Sequence, residues 1–431
     1  MTEVISAVVF VLAYVLIATE WVHRVVVVLG AAGLLLLLQV VDASDAFHSE
    51  EFGVDWNVVF LLFGMMVIVG VLKQTGLFEY LAIWSAKKAR GRPFRILVML
   101  VLLTAVASAL LDNVTTVLLI VPVTVLISER LSISPVPFLI AQVMASNIGG
   151  TATLVGDPPN IIIASEAGLS YLDFLLNLGP VVILTMVVFI ALLRVLFRRT
   201  FEVDPDRAAE LMALDEREAL ERGPLLTQSL VVLGLVTVAF VLHGTLGYEP
   251  SVVALVGAGS LLIIVRRETE SFLREVEWQT LVFFMGLFVM VGALVKSGVV
   301  ERMASLAVEA TGGSVLVGVL LVLWVSAVMS AAVDNIPYVA TMAPLVTALI
   351  AALPASVDPE PLWWSLALGA DFGGNATAIG ASANVVVLGL AERAGWRIRF
   401  IEFAKYGLVV TLASVLVATL YVWVRYFVLA A

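Results

Sequence analysis

Runs of apolar residues about as long as the ~20 that an α-helix needs to cross a bilayer recur along this chain from end to end, with polar and charged residues confined to short connections. A soluble fold would leave most of these side chains in water, because 61% of the 431 residues are hydrophobic and 13% are charged. The pattern predicts an all-α polytopic membrane protein whose solvent is lipid. Spans are expected near 4–19, 22–41, 55–72, 137–164, 174–196, 225–243, 250–265, 279–296, 362–390 and 402–428, ten crossings in all. The first run has no basic leader and no small-x-small cleavage site before His23, so it reads as a span rather than a signal peptide.

Two further apolar stretches, 94–129 and 314–350, are interrupted in their middles by Asp112-Asn113 and Asp334-Asn335. Lys87, Lys88, Arg90 and Arg92, then Arg198, Arg199 and Arg207, Arg266-Arg267, and Arg393, Arg397 and Arg399 mark the cytoplasmic side by the positive-inside rule. The segments Asp42 to Asp55 and Glu166 to Asp173 contain no Lys or Arg and fall outside. With ten crossings this assignment closes only if both interrupted stretches enter and leave on one side, as re-entrant hairpins, the first from inside and the second from outside. The location expected is the cell (plasma or inner) membrane, with both termini outside.

Displacing the chain on itself by 222 residues pairs Trp56 with Trp278, Gly64 with Gly286, Gly70 with Gly292, Gly76 with Gly298, Ser108-Ala109 with Ser330-Ala331, Asp112-Asn113 with Asp334-Asn335, and Pro122 with Pro344. After a two-residue insertion, Gly149-Gly150 pairs with Gly373-Gly374, Thr153 with Thr377, Gly156 with Gly380 and Asn160 with Asn384. The expected organisation is a first repeat at 1–197, a cytoplasmic connector at 198–223 and a second repeat at 224–431. Each repeat has five crossings, an odd number, so the second must be inserted upside down. Inverted repeats are the architecture of alternating-access transporters, whose site lies near the midplane where discontinuous helices meet.

The chemistry is concentrated at the interruptions. An ionisable Asp inside an apolar stretch costs at least ~2.5 kcal/mol unless paired, ion-bound or water-lined. Asp-Asn suits the tip of a helical hairpin better than a helix interior, because both side chains compete for backbone groups. Ser108, Asn113 and Ser330, Asn335 supply hard oxygens suited to Na⁺, and Asp112, Thr115, Thr116 and Asp334 are candidate proton- or substrate-coupling groups. The plainer alternative is that Asp112 merely caps the returning half-helix. In the spans 137–164 and 362–390, Gly149-Gly150 with Pro158-Pro159, and Gly373-Gly374, predict helices unwound at membrane depth. Their polar groups Thr151, Thr153, Asp157 and Asn160, and Asn375, Thr377, Ser382 and Asn384, complete the candidate site, with Gly149 beside it and Asp371 in the same cavity. His23, His48 and His243 read as interfacial, Trp363-Trp364, Trp396 and Trp423 as aromatic belts, and Gly76 to Ala89 and Gly298 to Ala310 as amphipathic helices along the interface.

On these motifs, above all Ala109-Leu-Leu-Asp-Asn-Val-Thr-Thr, Asn147-Ile-Gly-Gly-Thr-Ala-Thr-Leu-Val-Gly-Asp-Pro-Pro-Asn, Asp334-Asn-Ile-Pro and Gly380-Ala-Ser-Ala-Asn, the chain resembles the ion-transporter superfamily. Within it, the resemblance is to the arsenite-permease-like group that includes the melanosomal P protein and is related to NhaD-type sodium/proton antiporters. More distant divalent-anion/sodium symporters carry Ser-Asn-Thr at their hairpin tips. That resemblance implies sodium sites between hairpin and unwound helix, a homodimer, and elevator-type movement. This chain departs from it by placing Asp112 and Asp334 where those relatives have Ser, and Val114 and Ile336 where they have Thr. Acids at both tips disfavour a di-anion such as citrate or succinate.

The function expected is therefore secondary transport of a small ion, most simply Na⁺/H⁺ antiport, in which a proton and a cation compete for one buried acid. The alternatives are an arsenite or other small-anion permease and a sodium-coupled dicarboxylate transporter. Coupling ions aside, no cofactor is expected. A net charge of −10 argues against nucleic acid. The chain has no cysteine, Gly-Lys-Ser/Thr phosphate loop, His-Glu-x-x-His or Gly-x-Gly-Asp, which argues against an enzyme or an ATP-driven pump. The missing charged pore ring argues against a channel.

Overall fold

The computed structural model describes residues 2–19, 21–49, 52–90, 92–197, 211–213, 215–221, 223–265, 269–311, 314–354 and 358–429. Arg198, Arg199, Arg207 and Arg266-Arg267, which help to set the expected orientation, lie outside the described residues, as does most of the 198–223 connector.

Helices follow one another in two successive sets of matching kind. The first set is α1 (Thr2–Thr19), α2 (Arg24–Leu37), the short α3 (Ala43–His48), α4 (Trp56–Lys73), α5 (Leu77–Lys88), α6 (Pro93–Leu110), α7 (Asn113–Arg130), α8 (Val136–Gly150), α9 (Pro158–Ala167) and α10 (Tyr171–Leu196). The second is α11 (Leu225–Leu246), α12 (Pro250–Val265), the short α13 (Thr269–Leu273), α14 (Trp278–Lys296), α15 (Val299–Thr311), α16 (Val315–Ala332), α17 (Asn335–Ala351), α18 (Glu360–Gly373), α19 (Ser382–Arg393) and α20 (Phe400–Trp423). The protein is all-helical and embedded in the membrane. Among the described residues nine helices are long and apolar enough to cross it, and three of the nine, α6, α7 and α16, fall in the interrupted stretches. Length and apolarity alone thus do not separate a hairpin arm from a crossing.

The two sets interlock. The first arm of each interrupted stretch packs on the first half of the following broken helix, α6 on α8 and α16 on α18. The second arms cross over, α7 lying on α19 and α17 on α9. The early helices also pair across the sets, α4 with α12 and α14 with α2. Glycines permit these approaches. A Cβ on Gly64 would stand 2.7 Å from the Ala254 backbone, and one on Gly286 would stand 2.8 Å from Val28 Cγ2.

Both Gly-Gly spans are interrupted as expected, but the interruptions start at or just past the glycines expected to cause them. Helix α8 continues through Gly149-Gly150 and α18 through Gly373. Their role is contact: a Cβ on Gly149 would lie 2.3 Å from the Ala105 carbonyl oxygen, and one on Gly373 2.5 Å from that of Ala327. The breaks come just after, at Thr151 to Asp157 and at Gly374 to Ala381, the first followed by Pro158 and Pro159 at the N-terminal positions of α9. The second break forms without prolines, and its freed carbonyls find side-chain donors at Asn384.

Two further expectations are corrected. Trp363 and Trp364 are buried rather than lipid-facing; the Trp364 ring meets Phe174 edge-on at 5.2 Å, because the α10–α20 pair covers the start of α18. His243 is also buried: its Nε2 accepts the Tyr171 amide at 3.1 Å, which ties α11 to the start of α10. Trp423 is exposed, as an interfacial position requires.

Candidate functional site

The duplicated motifs recur as duplicated hydrogen bonds. Ser108 Oγ donates to the Ser146 carbonyl at 2.8 Å, and Ser330 Oγ to the Ala370 carbonyl at 2.6 Å. Thr153 Oγ1 donates to Ala109 O at 2.6 Å, and Thr377 Oγ1 to Ala331 O at 2.7 Å. Asn160 Nδ2 donates to Thr153 O at 3.0 Å, and Asn384 Nδ2 to Thr377 O at 2.8 Å and Gly374 O at 2.8 Å. Thr151 Oγ1 bonds the Asn147 carbonyl at 2.8 Å. These side chains return to the broken backbone the partners that a helix would have provided, which buried carbonyls require.

Asp112 and Asp334 both cap the helices that follow them. Asp112 accepts the Thr115 amide at 2.8 Å, and Asp334 accepts the Ile336 amide at 3.0 Å and the Ser382 hydroxyl at 2.5 Å. Both are partly exposed. Thr116 is buried and its hydroxyl makes no hydrogen bond.

The centre lies one step deeper, at Asp157. Its carboxylate accepts Asn113 Nδ2 at 2.8 Å and, from the other interrupted stretch, Asn335 Nδ2 at 3.4 Å to each oxygen. Both tip asparagines thus converge on one acid at the break between α8 and α9. Asn147 extends the network across the repeats, accepting from Asn113 at 3.2 Å and donating to Asn375 Oδ1 at 3.0 Å and Asn384 Oδ1 at 3.1 Å. Asp371 faces Thr151, Asn160 and Asn335 and neighbours Asp157. It is fully buried, and neither carboxyl oxygen has a hydrogen-bond partner. Asn113 Oδ1 and Asn160 Oδ1 are also buried without partners. Two acids and two unpaired amide oxygens are therefore buried together, and no Lys or Arg among the described residues bonds to either acid.

A cavity of about 770 Å³ reaches the Asp334 tip and the start of α19 from one side, where Arg24, Glu277, Phe283, Asp334, Pro337 and Ser382 line it. A smaller one of about 360 Å³ lies among Asn57, Ile161, Ser165, His243 and Ser251. They open at opposite ends of α4, whose 18 residues span about 27 Å: Asn57 stands in the smaller cavity, while Lys73 pairs at 2.6 Å with Glu275, two residues from Glu277 in the larger. The larger cavity is therefore on the side of the basic loop that begins at Lys73.

The sequence profile of the CitMHS family, described as citrate transporter, matches residues 14–369. The chain belongs to the CitMHS family, within the ion-transporter superfamily. It is a membrane secondary transporter, not an enzyme. An uncharacterized transporter of Mycobacterium tuberculosis (strain ATCC 25618 / H37Rv) is 55% identical over 427 residues, covering 99% of each chain. The human P protein is 34% identical over 502 residues, covering 96% of this chain and 59% of that protein. The YdaH transporter of Alcanivorax borkumensis shares the fold, with a TM-score of 0.60 over 85% of each chain at 14% identity.

Sequence reasoning gave no role to four residues of this region. Ser146 and Asn147 stand before the Gly-Gly pair and look like ordinary helix residues until Asn113 is folded against them. Arg24 and Glu277 sit at helix starts, where a charge reads as a membrane-edge residue, and only the fold turns them toward a cavity.

Proposed function

We propose that this family member is a cation/proton exchanger working by alternating access, with Asp157 and Asp371 as the groups that carry either a proton or Na⁺. The observation that carries this reading is the convergence of Asn113 and Asn335 on Asp157 beside a second, unpartnered acid. Two buried carboxylates without a basic partner cannot both stay bare, since desolvation costs several kcal/mol per ion. One proton or one cation relieves the cost, and competition between them couples two fluxes. The amide oxygens of Asn113 and Asn160 are hard donors suited to Na⁺.

In this reading α6–α7 and α16–α17 are re-entrant hairpins, the two helix sets are inverted repeats at 1–197 and 224–431, and the hairpins and broken helices move as one body. A homodimer with elevator-type movement follows from the resemblance and belongs to the same proposal. The family's description favours citrate as a second reading, and acids at the tips and centre weigh against it through like-charge repulsion.

A pH-dye assay in proteoliposomes, challenged in turn with Na⁺, K⁺, Li⁺, arsenite and dicarboxylates, tests the proposal. Exchange requires that Na⁺ or Li⁺ move protons. A chain that moves no protons with any cation, and accumulates a dicarboxylate with Na⁺, is not this exchanger.

A further inference from the structure

Arg24 begins α2, yet its guanidinium reaches across the larger cavity to the opposite wall. Its Nη1 donates to Ser382 Oγ at 2.8 Å and lies 3.8 Å from Asp334 Oδ2, and its Cζ stands 5.2 Å from the centre of the Phe283 ring on α14. Ser382 in turn donates to Asp334. One side of this triad is α2, which packs on α1 and α14. The other is the tip of the second interrupted stretch and the start of α19. The contact therefore ties together elements that alternating access must separate.

The repeat shows what should stand at the equivalent place in the smaller cavity. Gly64 and Gly286 are repeat mates; the first meets Ala254 and the second meets Val28, so Ala254 and Val28 are mates as well. Four residues earlier in each helix stand Pro250 and Arg24. The mate of Ser382, by the pairing of Asn384 with Asn160, is Pro158. Among the described residues the smaller cavity has no lysine or arginine in its lining, and Asp112 does not line it. Among the described residues the triad thus has no counterpart on the opposite side: both its cation and its hydroxyl are replaced by proline, which offers no side-chain donor.

We propose that Arg24 is a positioning residue that acts as a one-sided latch, holding the Asp334 tip and Ser382 against α2 only while the site faces the basic, cytoplasmic side. The latch biases the resting transporter toward the inward-open state, and a transition outward must break it. A ligand interacting differently with two states shifts their populations, and a side chain that bonds only one state does the same. This inference rests on the alternating-access reading proposed for the site.

Because the chain has no cysteine, single cysteines report each cavity cleanly. Val385→Cys lines the larger cavity and Ala164→Cys the smaller. In sealed vesicles of known orientation, labelling with a membrane-impermeant maleimide should slow at Val385→Cys and quicken at Ala164→Cys when Arg24→Gln is added, moving their ratio by about fivefold to tenfold. Arg24→Lys should restore much of the ratio, and a monodisperse detergent profile for each variant confirms folding. The latch is overturned if Arg24→Gln leaves both rates unchanged, or moves both in one direction. Alternating access itself is overturned, separately, if the two rates in the Arg24 parent fail to respond in opposite directions when Na⁺ and pH are varied.

Discussion

Replacing Asp157 by Asn should abolish exchange while leaving the fold nearly untouched. The carboxylate accepts Asn113 Nδ2 at 2.8 Å, and an amide oxygen can keep that bond. The two contacts from Asn335 are long, at 3.4 Å each, and contribute little. Loss of a weak hydrogen bond is worth at most ~1 kcal/mol, and removing a buried charge offsets it. The effect on exchange is far larger. A unit charge about 4 Å from a cation contributes roughly 4 kcal/mol at an effective dielectric of ~20, about a thousandfold in affinity. The proton carrier disappears with it. Asp157→Ala should behave differently: Asn113 retains its bond to Asn147 Oδ1, but Asn335 Nδ2 loses its partner. An orphaned buried donor costs ~1–3 kcal/mol, before any cavity is counted. Thermal unfolding followed by size-exclusion fluorescence, alongside Na⁺-driven proton movement, measures both effects. Asp157→Asn retaining exchange with unchanged pH dependence would refute the reasoning; so would an Asn variant less stable than the Ala variant.

Other outcomes are expected. Gly149→Ala should lower the unfolding temperature, since its Cβ would stand 2.3 Å from the Ala105 carbonyl oxygen and overpacking costs ~1–3 kcal/mol. Gly259→Ala in α12, with nothing within 4 Å, should leave that temperature unchanged or raise it. Ser330→Ala removes a 2.6 Å bond to the Ala370 carbonyl and should destabilise by about 1 kcal/mol, measured the same way. On the side of the basic loop, Lys87 donates to Glu216 at 2.5 Å and holds that carboxyl below its usual value of 4.5. The contribution of this ion pair to holding the connector on α5 is thus fully present above that value and lost as pH falls through the lowered one. Hydrogen exchange at Glu216–Ala219 should rise under acid, and Glu216→Gln should raise it already at neutral pH; equal exchange in both proteins would remove the ion pair from the account.

The pairing of positions read from the sequence has a counterpart in the hydrogen bonds. The offset that pairs Ser108 with Ser330 and Thr153 with Thr377 reappears as matched hydroxyl-to-carbonyl bonds. The two tips were legible as well, because an Asp-Asn pair in an apolar run is costly inside a continuous helix and favourable at the start of one. Glycine misled, since a pair of glycines is read alike whether it breaks a helix or lets two helices touch. The convergence on Asp157 was hidden too. Asp112 and Asp334 recur in the repeat and attract attention, whereas Asp157 pairs by offset with Ala381 and gains its place only when both tip asparagines arrive from distant segments. Arg24 likewise has no repeat mate of its own kind, so nothing in the pattern singles it out.

The central claim is that Na⁺ and H⁺ compete for the same buried acids. The most direct measurement is the apparent Na⁺ affinity of the reconstituted transporter as a function of pH. One proton competing with one Na⁺ predicts affinity that weakens by about tenfold per pH unit on the acid side, with the dependence lost in Asp157→Asn. A Na⁺ affinity that stays level across that range would contradict the account.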